Sequence, residues 1–147
     1  MRFFLIDRID SITKNKYARG IKTVTFEECL LASPGFEKGF MPRTLVLEAA
    51  AQLASWLIMY SIDFKKIPML VKMEQVTLTR SVRCGTRLII EIELVAMNEE
   101  GAVVNATVST DNEIIATGKQ CMCTFVELNK LADENHLRAH FNAICRI

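Results

Sequence analysis

The stretch GFMPRTLVLEAAAQLASWLIMYSI, residues 39–62, decides how this chain folds. It is too long and too rich in Ala and Leu for a strand, so it reads as a helix from about residue 44 to 62. Thr44 is the expected N-cap, with Pro42 in the entry turn. The helix is apolar nearly all the way round, yet it carries a carboxylate, Glu48, and a carboxamide, Gln52, one turn apart. A bilayer span needs about 20 apolar residues. Glu48, Gln52, Ser55 and Ser61 interrupt this one, and the remainder of the chain is rich in strand signals. The expected surroundings are therefore a sheet that encloses the helix on most sides.

Upstream, FFLIDRIDSITKNKYARGIKTVTFEE (residues 3–28) reads as a strand, a polar turn at KNK and a second strand ending near Thr25. CLLASPGFEKG (29–39) reads as loop, punctuated by Pro34, Gly35 and Gly39. Downstream, four segments rich in Val, Ile and Thr begin at Pro68, Thr86, Ala102 and Ile114, separated by the turn signals RCGT, NEEG and TDNE. Two strands, one long helix and four more strands define an α+β domain, with the helix lying across an antiparallel sheet. That domain occupies residues 1–128. The tail, 129–147, spaces Leu131, Leu137, Phe141 and Ile144 along one helical face and reads as a short docking helix.

The whole chain of 147 residues suffices for one core. Eighteen basic and 17 acidic residues leave a net charge of +1, which gives no support for nucleic acid as a partner. The opening MRFFLIDRID is broken by Asp7 and Arg8 too early for a signal peptide, so the cytoplasm is the expected compartment. Five cysteines without regular spacing argue against a disulfide framework. Cys121 and Cys123, two apart on a strand, share a face. They lack further ligands nearby, so no metal site is expected.

PGFEKGFMPRTLVLEAAAQ (34–52) resembles the motif H-F-P-G-x-P-x-M-P-G-x-x-x-x-E-A-x-A-Q of the 3-hydroxyacyl-acyl-carrier-protein dehydratases, which have the hot-dog fold. Met41, Pro42, Glu48, Ala49, Ala51 and Gln52 match. FFLIDRI (3–9), VTFEE (24–28) and the hairpin pattern of residues 72–95 extend the likeness over most of residues 3–126.

The resemblance implies a homodimer or higher oligomer of hot dogs acting on acyl-carrier-protein or coenzyme A thioesters. No cofactor or metal is implied. Glu48 would be the catalytic carboxyl that assists loss of the β-hydroxyl, with Gln52 one turn on to fix its rotamer. Burial would raise the pKa of Glu48 and the helix N-terminus would lower it. Phe40, Met41, Pro42 and Leu45 would line the acyl tunnel. Arg43 replaces the motif glycine whose backbone N–H holds the thioester carbonyl, and it either grips an anionic ligand group or points to water.

The motif histidine is missing. Its place falls on Pro34 in the gapless alignment and on Ala32 if the two Pro-Gly pairs are matched instead. The only histidines, His136 and His140, are in the tail, where solvent exposure is expected. Glu37, Ser33 and Cys29 are the nearest substitutes for the base. Three activities remain open: dehydration, thioester hydrolysis with Glu48 activating water, and acyl binding without turnover, alone or beside a histidine-bearing hot-dog partner. Lys38, Arg43, Lys65, Lys66, Arg80 and Arg83 are candidate contacts for an acidic carrier protein.

Overall fold

The computed structural model describes residues 4–30 and 38–146. Strands β1 (Arg8–Thr13) and β2 (Tyr17–Thr23) form a hairpin, followed by a short helix α1 (Phe26–Leu30) whose last two residues fall in the expected loop of residues 29–39. Thr25 and Glu28 build that helix start. Glu28 Oε2 accepts from the Thr25 N–H at 2.9 Å, as in a capping box. After β3 (Phe40–Met41), helix α2 runs over Arg43–Ser61, one residue ahead of the expected span at each end. Pro42, not Thr44, holds the cap position, with no side-chain cap. The Leu45 N–H instead turns onto the Pro42 carbonyl at 2.9 Å.

The remaining strands are β4 (Lys66–Leu78), β5 (Val82–Arg83), β6 (Arg87–Met97), β7 (Gly101–Ser109) and β8 (Ile114–Glu127). A 3-10 turn at Leu128–Lys130 leads into α3 (Glu134–Ile144). Six strands form one sheet in the order β1-β2-β6-β7-β8-β4, every neighbouring pair antiparallel. β3 and β5 pair separately. The inner face shows the period-two signal directly: Leu88, Ile90 and Ile92 of β6 are fully buried.

Helix α2 packs on β2, β4, β6 and β7, with Leu53, Leu57 and Ile58 completely covered. Gly20 lets it come close, since a Cβ there would sit 3.1 Å from Leu53 Cδ1. At its far end Asp63 and Phe64 both adopt left-handed backbone (φ 55° and 57°), and the Phe64 N–H returns to the Met59 carbonyl at 2.7 Å. That conformation costs roughly 1–2 kcal/mol per residue. Burial of the Phe64 ring beneath Arg138 and against Phe141 offsets it. No helix among the described residues is long and apolar enough to cross a membrane.

One ion pair is buried with the core. Lys22, 2% exposed, donates to Glu28 at 2.6 Å, with Asp7 at 3.8 Å. The pair fixes α1 to β2 immediately before residues 31–37. Removing one partner strands the other charge, whereas an apolar pair of similar volume does not. Glu28→Ala should therefore cost about 3 kcal/mol in urea denaturation, and the double variant Lys22→Met/Glu28→Leu should recover most of that loss.

Candidate functional site

Glu48 is the sixth residue of α2 and stands at the exposed rim of an apolar cavity of about 250 Å³. The cavity lies between α2 and strands β4, β7 and β8. Ala51 and Ser55 line it from the helix, Met73 from β4, Val104 from β7, and Cys121 and Cys123 from β8. The Gln52 carboxamide donates to Glu48 Oε1 at 3.0 Å and accepts the Leu5 N–H at 2.8 Å. The carboxylate is thus tied through Gln52 to the N-terminal segment. Glu48, Gln52 and Ser55 occupy the i, i+4 and i+7 positions that share a helix face, and this polar stripe borders the cavity.

The cavity wall differs from the sequence expectation. Among the described residues, Phe40, Met41, Pro42 and Leu45 are not part of it. Met41 is buried in the core where β3 pairs with β5, and Phe40 lies under the Arg83 guanidinium, 4.9 Å from its ring. Leu45 is packed against the core, Pro42 is half-buried, and Arg43 is exposed in the first helical turn. The wall comes instead from β4 and β8. Cys121 and Cys123 do share a face, with a bulge at Gln120 (φ 51°) whose N–H is held by Asn105 Oδ1 at 3.0 Å. Gly118 keeps the space open, because a Cβ there would meet Cys121 Sγ at 3.0 Å.

Both histidines fall outside this cavity. His136 is exposed, but His140 is half-buried, stacked on Phe4 (3.9 Å between centroids) and Trp56 (5.4 Å). Burial, then His136, lowers its pKa. Its Nε2 is buried and has no hydrogen-bond partner among the described residues. His140 is a packing residue of the tail and not the solvent-exposed group expected. Cys29 is buried, its thiol pushed up by burial and then by Cys84, a poor substitute for a base. Ala32, Ser33, Pro34 and Glu37 lie outside the described residues. The basic side chains do not form one cluster: Lys65 and Lys66 lie at the start of the 13-residue strand β4, whereas Arg80 and Arg83 follow its end. No group of three or more His, Cys, Asp or Glu residues is placed to hold a metal ion among the described residues.

A long buried helix wrapped by this antiparallel sheet is the hot-dog fold. Solved structures agree. A Streptococcus mutans protein bound to acetyl CoA superposes with a TM-score of 0.67 at 16% identity, over 86% of this chain and 94% of its own. Zebra fish thioesterase superfamily member 2 gives 0.62 at 14%, over 80% and 78%. Residues 1–119 match the FabA-like domain, and the chain belongs to that family. The 3-hydroxyacyl-[acyl-carrier-protein] dehydratase FabZ of Caldicellulosiruptor saccharolyticus is 34% identical over 123 residues, 80% of this chain and 84% of that protein. The FabZ dehydratase of Albidiferax ferrireducens is 34% identical over 116 residues, 76% and 77% of the two chains.

The two cavity thiols are chemically quiet. Burial raises both, and with the added effect of Cys121 it pushes Cys123 up to about 11. The thiolate is the reactive form, so Cys123 stays protonated at pH 8. Brief iodoacetamide treatment at that pH should label the exposed Cys84 and spare Cys121 and Cys123 until the protein is unfolded, as peptide mass mapping would show.

Proposed function

We propose that the protein binds an acyl thioester with the acyl chain in the cavity behind Glu48, and that Glu48 is the acid for dehydration of a 3-hydroxyacyl thioester. The observation that carries this reading is the single carboxylate at the rim of an apolar cavity, oriented by Gln52. The named activity of the FabZ relatives supplies the substrate class. In the reaction a base takes the α-proton and its electron pair becomes the α,β double bond. The β-carbon–oxygen bond breaks, and the hydroxyl leaves as water with the proton from Glu48. A carboxylic acid that can donate a proton suits that step, and a cover over the exposed rim would keep bulk water from it.

Such a cover has an evident source in a second copy. β4 is an edge strand, paired only with β8 among the described residues, and it exposes Met69, Leu70, Val71, Met73 and Val76. Long apolar edges invite strand pairing. We assign the edge of β4 to a homodimer that joins two sheets and closes the rim at Glu48. Size exclusion at micromolar concentration should give a dimer, and Val71→Lys should weaken it; a wild-type monomer would refute the assignment.

The base is the incomplete half of the site. The chain's own histidines lie in the tail, and His140 is walled in by Phe4 and Trp56. That placement favours a second reading, in which full turnover requires a histidine-bearing hot-dog partner and the homodimer alone chiefly binds ligand. Loss of a general base costs about 10²–10⁴-fold. The purified homodimer should therefore dehydrate 3-hydroxyacyl thioesters with kcat/KM below about 10⁴ M⁻¹s⁻¹, and Pro34→His or Ala32→His should raise the rate. A wild-type value at or above that level would show that the chain contains an effective base.

Glu48→Gln should fold normally, bind thioesters and lose residual turnover by about 10²-fold or more. Equal turnover by variant and parent would remove Glu48 from the chemistry. Release of free thiol without an enoyl product would identify hydrolysis instead.

A further inference from the structure

A second apolar pocket, an open groove of about 360 Å³, lies beside the first. The two share Gln52, Ser55 and Met69 as a common wall. Gln52 is held at the Glu48 end by its bonds to Glu48 and the Leu5 N–H. Ser55 turns its hydroxyl back onto the Ala51 carbonyl at 2.9 Å, so its polar atom is satisfied within the helix. Met69 is half-exposed, unbranched and adaptable. The partition therefore consists of one small side chain, one tethered amide and one flexible thioether. The far wall comes from the tail, through Leu131, Ala132 and Leu137, beyond the residues that match the family. Trp56, the only tryptophan, lines the same space. It sits eight residues after Glu48, about 12 Å along the helix axis.

We propose that this second cavity is a distal subsite for the acyl chain, making the protein selective for long-chain over short-chain acyl thioesters. Methylenes that outgrow the first cavity pass between Ser55 and Met69 and lie against Trp56, Leu131 and Leu137. The occupant follows from the thin wall shared with the first cavity and from the apolar residues that the tail contributes. The inference rests on the acyl-thioester reading above and adds to it the class of chain and the function of residues 128–146.

Trp56 provides a direct reporter. The wild-type protein would be titrated with butyryl and hexadecanoyl coenzyme A below micellar concentrations, following binding by calorimetry and Trp56 emission by fluorescence. Both ligands should bind, but only the hexadecanoyl ligand should shift the emission. Affinity should continue to rise beyond medium chain lengths, by up to about fourfold per newly buried methylene. Leu131→Asp, at a half-exposed position that lines the second cavity alone, should lower hexadecanoyl affinity at least tenfold and abolish the emission shift. Its butyryl affinity and elution volume should match wild type, which also reports correct folding and an unchanged assembly. Equal emission responses to the two ligands, an affinity plateau at medium chain length, or a Leu131→Asp variant with unaltered long-chain binding would overturn the subsite. A change of oligomeric state in that variant would likewise overturn it, by assigning the groove to subunit contact. Failure of every acyl coenzyme A to bind would overturn the acyl-thioester reading itself.

Discussion

The structure depends on covering a helix that is apolar nearly all the way round. Nineteen residues of α2 present almost no face suited to water, and their burial drives the assembly of the rest. One side is met by β2, β4, β6 and β7, close enough at Gly20 that a Cβ there would press on Leu53 and the Arg8 carbonyl. The other is met by the tail, where Phe141 stacks on Tyr60 and tilts against Trp56. Arg138 ties the tail to the Asp63 carbonyl at 2.8 Å, beside the left-handed turn that ends α2. The tail is thus an integral layer of the core and not an appendage to it.

The same constraint explains the position of polar chemistry. Glu48, Gln52 and Ser55 interrupt the apolar surface along one stripe, and that stripe borders the cavity toward the edge strand β4. Elsewhere among the described residues, the buried charges are partners, Lys22 with Glu28. A carboxylate on α2 therefore needs either water or a cover that supplies a purpose for it. The exposed rim provides the first in the isolated chain, and a second sheet across β4 would provide the second.

Cavity shape and chemistry are also coupled through α2. Gln52 touches both the carboxylate and the Leu5 backbone, so the N-terminal segment helps to orient the site. Ser55 and Met69 bound both pockets, so changes that repack the tail against Trp56 reach the first cavity without touching Glu48. The cysteines that line this space remain neutral and apolar in character because burial suppresses the thiolate.

The long helix, the six main strand segments, the α+β class and the pairing of Glu48 with Gln52 were legible in the chain before any contact was known. Each is encoded locally: periodicity marks buried faces, turn residues mark ends, and a four-residue spacing stacks two side chains on one helix face. The sequence placed the helix start at Thr44, because side-chain caps are the usual signal and a proline at the cap position leaves none. What surrounds those faces emerged with folding alone. Met73, Val104, Cys121 and Cys123 meet Ala51 and Ser55 across long separations in the chain, and no local pattern distinguishes a cavity wall from a filled core. His140 showed the same limit. Its polar sequence context suggested water, but the helix that carries it is amphipathic, and docking turned the ring between Phe4 and Trp56. Periodicity specifies that a surface must be covered, whereas the identity of the cover depends on contacts that exist only once the chain has folded.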